Sequence, residues 1–139
     1  MRPYLALCSV LFALALPCML VAQTLDVSGR WVSDADHSLK LLLDQKTNEI
    51  HVQEVAGDKI QADFTCPLNG KECRVKESGH SETIMMYFNG DKLVQIREHG
   101  GDTIKQRMAV STDGKILTVE TVPLASNQKA SQSYFRREM

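Results

Sequence analysis

The sequence predicts an all-β protein in which about ten antiparallel strands form an up-and-down meander that closes into a barrel. Two observations support this prediction. From Leu39 to Arg137 apolar and polar residues alternate with a period of two, which sends successive side chains to opposite faces of a strand. Asn-Gly, Asp-Gly and Gly-Gly pairs interrupt the alternation at short intervals, as hairpin turns do. We expect closure because a long open sheet with one apolar face would leave adhesive edges.

The N-terminal residues 1–22 have the layout of a secretory signal peptide. Arg2 supplies one positive charge, an uncharged stretch rich in Leu and Ala follows, and Ala22 is a small residue before the predicted cleavage site. The apolar stretch is short for a membrane-spanning helix, which needs about 20 residues, so a retained anchor is the alternative. We expect an exported protein, periplasmic or extracellular, with one mature domain over residues 23–139 and no membrane association after cleavage.

The charges of the chain are balanced and interspersed. Lys and Arg number 16 and Asp and Glu number 17, and of these only Arg2 belongs to the predicted signal. Such a surface is typical of an ordinary soluble domain, and it argues against nucleic acid or an anionic membrane as a partner. The sequence points to no particular protein partner.

The mature domain keeps two cysteines, Cys66 and Cys73, because Cys8 and Cys18 lie in the predicted signal. Exported compartments oxidise such a pair, so we expect a disulfide. A hairpin centred on Asn69-Gly70 would set the two cysteines directly opposite each other, within bridging distance. Structural zinc needs four converging ligands, which two thiols and scattered histidines do not supply. We therefore expect no metal and no cofactor.

The strands are placed by one requirement. Apolar residues must face apolar residues across each turn, because a shift of one residue reverses the faces of a whole strand. No helix longer than a turn or two is expected, and residues 33–38 are the best candidate for a short one. The predicted strands cover residues 27–33, 39–46, 49–55, 59–66, 73–77, 82–88, 92–98, 102–111, 115–122 and 132–137.

The turn at Asp113-Gly114 has the residues of a two-residue hairpin loop. A hairpin centred there sets Met108 opposite Val119 and Gln106 opposite Thr121. This register brings apolar residues together without adjustment, so we predict it.

The turn near residue 100 offers two registers. A two-residue turn would set Ile96 opposite Lys105, whereas a three-residue loop sets Val94 opposite Gln106. The three-residue loop keeps apolar residues on one face, so we predict it here. The same argument at the preceding turn brings Met86 opposite Val94.

The first predicted strand begins with Ser28-Gly29-Arg30-Trp31, and the last one ends with Tyr134-Phe135-Arg136-Arg137. Together with the all-β meander, these residues resemble the lipocalin-like, or calycin, barrels, in which a Gly-x-Trp closes the barrel floor against a late Arg. The resemblance implies that Trp31 and Arg136 close this barrel. With the segment 113–119, the chain also looks like a family of small secreted bacterial proteins, most without an assigned activity. Its outline is similar to fatty-acid-binding proteins.

The predicted interior places two polar side chains in an apolar lining, an arrangement common in binding pockets. The alternative is a filled core in which the two polar groups satisfy each other, since small barrels are often filled by their own side chains. The predicted ligand-binding residues are Met86, Val94, Gln106, Met108 and Thr121.

Charged residues complete the prediction. Glu54 and Glu98 fall on the inward face near strand ends, where solvated rim positions suit them, and Arg97 is assigned to the outward face. The sequence contains no nucleophile elbow, phosphate-binding loop or His-Glu-x-x-His segment. We therefore expect no enzymatic activity.

The leading hypothesis is an exported, non-enzymatic, lipocalin-like protein that binds a small hydrophobic or amphipathic ligand inside the barrel. The alternative is a protein-interaction or inhibitor module whose filled barrel is a scaffold. In that case Met85 and Tyr87 would form an outward apolar stripe for the partner.

Overall fold

The computed structural model describes residues 25–77, 79–124 and 127–139, so the predicted signal at 1–22 lies outside the described residues. The described part of the chain is all-β, and the candidate short helix at 33–38 is instead the end of a strand followed by a turn. Among these residues there is no helix of the length and apolarity needed to cross a membrane. The strands are β1 (Gly29–Ser33), β2 (Leu39–Gln45), β3 (Glu49–Ala56), β4 (Lys59–Pro67), β5 (Cys73–Glu77), β6 (His80–Asn89), β7 (Lys92–His99), β8 (Asp102–Val110), β9 (Ile116–Pro123) and β10 (Ser131–Arg137).

All ten strands belong to one antiparallel sheet that curls into a nearly closed barrel, as the alternation predicts. Each strand pairs with its neighbour in the chain except β4 and β5, and β1 pairs with β10, so the order is β4-β3-β2-β1-β10-β9-β8-β7-β6-β5. The barrel is therefore incomplete along one line, between its two edge strands β4 and β5.

A disulfide spans the gap between the edge strands. Cys66 on β4 and Cys73 on β5 are bonded, with their Cα atoms 5.6 Å apart. The predicted pairing of these cysteines is confirmed, but the predicted direct opposition of their strands is wrong, since Cys66 faces Ile50 and Cys73 faces Ile84. Near the same end, the Gly70 N–H donates to the Met86 carbonyl at 2.9 Å. The bridge ties two sheet edges that the backbone ladder leaves apart.

The hairpin of β8 and β9 has the predicted register. Met108 lies opposite Val119 and Gln106 opposite Thr121. All four side chains are on the barrel's inner face, where Met108 and Val119 are buried in the core.

The registers predicted for β7 are wrong by one residue. Gln95 lies opposite Met86 on β6 and opposite Gln106 on β8. Val94 instead lies opposite Tyr87 and Arg107. Val94 and Gln106 are therefore on opposite faces of the sheet, and Val94 faces outward although only 1% of it is exposed.

The observed register of β7 forms because two of its polar residues have hydrogen-bond partners inside the barrel. The prediction rejected Ile96 opposite Lys105, yet this is the pair that forms on the outer face, where the methylenes of a lysine can pack along an apolar neighbour. Gln95 and Arg97 occupy the inner face instead, hydrogen-bonded to Gln106 and to Glu54. The rule that apolar faces apolar failed because the interior is not entirely apolar.

Trp31 lies near the end of the barrel where β1 begins, which we call the floor. Its ring is fully buried, and its Nε1–H donates to the Val27 carbonyl at 3.1 Å. The guanidinium of Arg137 lies over the ring, 4.3 Å from the centroid. Arg137 also donates to the Ser28 and Gly114 carbonyls at 2.7 and 2.8 Å.

The residue that packs on Trp31 is thus Arg137 and not the predicted Arg136. The register sets Trp31 opposite Arg137, and because side chains alternate along a strand, Arg136 points to the other face. There it is exposed and pairs with Asp34 at 2.7 Å. The Gly-x-Trp resemblance implied a late arginine beside Trp31, and the choice between two adjacent arginines depended on strand pairing.

Gly29 is expected to be irreplaceable at this closure. A Cβ there would lie 2.5 Å from Arg137 Nη1, and its φ of +153° is one that other residues rarely adopt. Gly29→Ala should therefore move Arg137 off Trp31 and lower the free energy of unfolding, measured by urea titration, more than Gly57→Ala does. Gly57 also has a positive φ, +61°, but open space around it, so that variant costs only about 1–2 kcal/mol of backbone strain. Equal losses of stability in Gly29→Ala and Gly57→Ala would mean that the Arg137 side chain does not depend on the space beside Gly29.

Candidate functional site

The two ends of the barrel differ in chemistry. Trp31 and Arg137 pack together at the floor, whereas β2, β4 and β8 begin at the opposite end. We call that end the mouth. Four of the exposed large apolar side chains lie around it, Leu39, Ile60, Ile104 and Leu124, while Tyr134 on β10 and the C-terminal Met139 are exposed as well.

A cavity of about 250 Å³ opens at the mouth. Its lining comes from β2, β3, β4, β7, β8, β9 and β10, so it lies inside the sheet rather than on an outer face. A β-bulge between Glu54 and Val55 shifts the β3–β4 register at this point, and both residues line the cavity. Its apolar lining includes Leu41, Met108, Val119 and Phe135. Its polar lining residues are Lys40, Glu54, Gln61, Arg97 and Gln106.

A second depression of about 470 Å³ lies near the floor end, lined by residues 45–47, 68–69 and 87–88. Lys46 is its single charged lining residue. It is larger than the mouth cavity, but its lining residues Lys46, Thr47 and Asn69 are exposed on the surface. The mouth cavity is therefore the better candidate for a selective site.

The predicted lining residues have three different positions. Gln106 and Met108 line the mouth cavity, and Thr121 lies next to Gln106 as its hydrogen-bond partner. Met86 is fully buried in the core below. Val94 is on the outer face and leaves the candidate site.

Three polar side chains inside the barrel form what we call the polar chain, Gln95, Gln106 and Thr121. The Gln95 Nε2 donates to Gln106 Oε1 at 3.2 Å, and Gln106 Nε2 donates to Thr121 Oγ1 at 3.3 Å. Gln95 is only 1% exposed, and within the described chain its Oε1 has no hydrogen-bond partner. Leaving a buried acceptor without a hydrogen-bond partner costs about 1–3 kcal/mol of folding free energy, so a donor that reached this atom would bind favourably.

Four charged or titratable side chains lie nearer the mouth and form what we call the ionic group, Glu54, Glu82, Arg97 and His99. Arg97 Nη2 donates to Glu54 Oε1 at 2.9 Å, and His99 Nδ1 is 3.1 Å from Glu82 Oε1. Arg97 Nε is 3.4 Å from Glu82 Oε2, close enough for ionic attraction but without a well-aligned hydrogen bond. The two carboxylates thus flank one guanidinium.

The sequence assigned Arg97 to the outer face, and this was wrong. Arg97 lies between the buried Ile84 and the rim residue Ile104 across the sheet, and its Cζ is 5.7 Å from the Phe64 ring centre. Glu54 does face inward as predicted, whereas Glu98 is exposed. The inward carboxylate was the available signal for a buried cation, because a carboxylate in a barrel interior needs a partner.

The mouth cavity has the composition of a ligand-binding pocket. A cavity with apolar walls and a few polar groups can hold an amphipathic molecule and orient its polar end. Across the described ranges, no group of three or more His, Cys, Asp or Glu residues is placed to hold a metal ion.

The ten-stranded barrel has the fold of the calycins and fatty-acid-binding proteins. Similar solved structures include the REP1-NXSQ fatty acid transporter, with 9% identity over 82% of this chain and 97% of that chain and a TM-score of 0.66. A secretory abundant heat soluble protein from Ramazzottius varieornatus has 10% identity over 80% of this chain and 94% of that one, also with a TM-score of 0.66. The Schistosoma mansoni fatty acid binding protein, in complex with arachidonic acid, has 12% identity over 84% and 99% and a TM-score of 0.63.

Identities this low establish a common fold and nothing finer. No protein-family model matches the sequence, and no curated protein sequence matches it either. The calycin resemblance is thereby confirmed at the level of fold. The narrower similarity to small secreted bacterial proteins stays a prediction.

Proposed function

We propose that this chain is an exported, non-enzymatic barrel protein that binds a small amphipathic molecule in its mouth cavity. The apolar part of the ligand packs against Met108, Val119 and Phe135, and its polar end meets Gln106 and the ionic group. One observation carries the proposal, namely an apolar cavity with converging polar groups at the end of the barrel that Trp31 does not close. The similar structures that are described as a fatty acid transporter and a fatty acid binding protein support it.

The size of the cavity limits the ligand. Its volume of about 250 Å³ is slightly below the range of about 300–1,000 Å³ for drug-sized pockets. The ligand is therefore small, or a longer chain enters in part and leaves the remainder against the apolar rim of Leu39, Ile60 and Ile104.

Export is supported by two features. Residues 1–22 have the signal-peptide layout, and the bond between Cys66 and Cys73 is compatible with an oxidising compartment. Cell fractionation with a tagged full-length chain tests the localisation, and N-terminal sequencing of the recovered protein tests the cleavage site.

Saturable binding of an environment-sensitive lipid probe tests the ligand proposal. Val119→Phe fills the cavity and should abolish binding, while the added bulk lowers stability by about 1–3 kcal/mol. Val122→Phe is the matched control, because it places the same side chain on the outer face of the same strand, opposite Lys105. Absence of saturable binding to the parent protein, folded by circular dichroism, would contradict the proposal.

Gln106→Leu is expected to lower the free energy of unfolding by about 1–3 kcal/mol, because it leaves the buried Gln95 amide without its remaining partner. Urea titration measures the loss. Gln53→Leu is the control, since Gln53 donates to Asp63 on the exposed outer face, where a substitution changes stability by about 0.5 kcal/mol or less. If Gln106→Leu were as stable as the parent, the barrel would have a filled core that tolerates loss of the polar chain, and the polar chain would not be part of a binding site.

The alternative function, a protein-interaction module, has less support. Met85 and Tyr87 do lie on the outer face, opposite Ile96 and Val94, but both are half-buried rather than exposed. Four exposed apolar side chains, Leu39, Ile60, Ile104 and Leu124, surround the mouth, and Tyr134 on β10 is exposed as well. A crosslinking pulldown whose yield depends on Met85 and Tyr87 would favour the module over the ligand-binding barrel.

A further inference from the structure

The ionic group has an excess of negative charge. Glu54 and Glu82 contribute two carboxylates, and Arg97 contributes one guanidinium at 2.9 and 3.4 Å from them. In the formal charge count, in which histidine is neutral at pH 7, one negative charge remains in this group. The three side chains are only 13–33% exposed, so water screens this charge less than it screens a surface pair. Lys40 also lines the cavity, but its ammonium lies 3.2 Å from the Glu138 carboxylate.

Arg97 is already engaged and is a poor receptor for an anion. Nη2 donates to Glu54, and Nε is a buried atom that faces a Glu82 oxygen. A ligand carboxylate that approached the guanidinium would meet one or both of these carboxylates at close range. Two like charges a few ångströms apart in a poorly hydrated site repel strongly.

The deeper polar position also favours a donor. Gln95 lies two residues before Arg97 in the chain, on the same inner face of β7. Its Oε1 is a buried acceptor that has no hydrogen-bond partner in the described chain. Its neighbour Gln106 lines the mouth cavity. A hydroxyl or ammonium can donate to Oε1, whereas an ionised carboxylate has no proton to donate.

We propose, on the basis of the ligand-binding function above, that the mouth cavity selects amphiphiles whose polar end is an uncharged or cationic hydrogen-bond donor, an alcohol or an amine, and disfavours carboxylates. The charge excess of the ionic group and the unpartnered Gln95 acceptor each support this selection independently. The barrel is thus adapted to a head group different from that of a fatty acid.

Competition among three amphiphiles tests the selectivity. A bound environment-sensitive probe is displaced by a straight-chain primary alcohol, primary ammonium or carboxylate of one chain length, each below its micelle concentration at neutral pH. We expect the ammonium and the alcohol to displace the probe at concentrations about tenfold lower than the carboxylate.

The outcomes separate the two proposals. If the carboxylate binds as well as or better than the others, the head-group inference is overturned while the ligand-binding function stands. If the probe itself shows no saturable binding, the ligand-binding function fails and the selectivity falls with it.

Glu54→Gln identifies the source of the selectivity. It removes one carboxylate from the ionic group and leaves an amide oxygen that can still accept from Arg97. We expect ammonium affinity to fall and carboxylate affinity to rise, each about tenfold, with little change for the alcohol. Glu82→Gln repeats the test from the other side of Arg97, should the first variant fold poorly.

Glu120→Gln is the matched control. Glu120 accepts from Arg107 at 3.0 Å in a pair of the same type on the outer face, and its substitution changes the net charge of the protein by the same amount. Its three affinities should equal those of the parent. An equal shift in Glu54→Gln and Glu120→Gln would assign the preference to the overall charge and overturn the assignment to the ionic group.

Discussion

Replacing Trp31 by alanine should lower the free energy of unfolding by about 3–5 kcal/mol, the range for truncating a buried aromatic side chain. The indole is fully buried in the core. Its Nε1–H donates to the Val27 carbonyl, and its ring packs against the Arg137 guanidinium. Truncation leaves a void at the floor, where the described residues offer no other plug. A marginally stable domain of this size has about 5–15 kcal/mol in total, so the variant should be close to unfolding at warm temperatures.

Urea titration followed by far-ultraviolet circular dichroism measures this loss. Fluorescence is unsuitable because Trp31 is the single tryptophan of the chain. A loss of about 0.5 kcal/mol or less would contradict the closure, since that is the size of a typical surface effect.

A double-mutant cycle separates the two candidate arginines. Arg137→Ala removes a cation–π contact of about 0.5–2 kcal/mol and two hydrogen bonds to backbone carbonyls. Its effect should be smaller when Trp31 is already alanine. Arg136→Ala, which removes an exposed pair with Asp34, should show no coupling to Trp31. Coupling to Arg136 instead would support the pairing that the family resemblance implied.

Removing the Cys66–Cys73 disulfide should lower the free energy of unfolding by about 2–3 kcal/mol. The sequence separation is 7, and the chain-entropy model assigns about 2.5 kcal/mol to a closed loop of that length. The bond also joins the edge strands β4 and β5, which share no backbone ladder. The double variant Cys66→Ala and Cys73→Ser is suitable because an apolar side chain replaces the fully buried Cys66 and a polar one replaces the half-buried Cys73.

Wild-type protein under reducing conditions is the matched control for the disulfide. Its urea midpoint should fall nearly as far as that of the double variant, and hydrogen exchange should accelerate in β4 and β5 before other strands. Probe binding at the mouth should change little, because the bond lies at the other end of the barrel. Unchanged midpoints after complete reduction would contradict a stabilising role.

The sequence predicted the strands well because the signals are local. Alternation with period two and turn pairs such as Asp113-Gly114 act within a few residues, and the predicted strands agree with the observed ones to within about two residues, the usual margin. The register of β8 and β9 followed from the same local information. The pairing of the two cysteines was predicted correctly, although the strands that carry them do not pair.

The candidate site was only partly predictable. Gln106 and Met108 were placed correctly, because their hairpin has one register that satisfies the apolar rule. Val94 and Arg97 were assigned to the wrong faces, because β7 has two registers with comparable local patterns. The choice between them depends on partners far away in the chain, as in the bond from Arg97 to Glu54, 43 residues earlier.

From the sequence alone come the all-β class, the strand boundaries and the paired cysteines, since each depends on neighbouring residues or on composition. Tertiary structure decided the inner face of β7, the use of Arg137 instead of Arg136, and the gap between β4 and β5. These features depend on how the sheet curls and which polar groups meet inside it. The free energy of a buried charge is set by partners that converge only when the barrel forms.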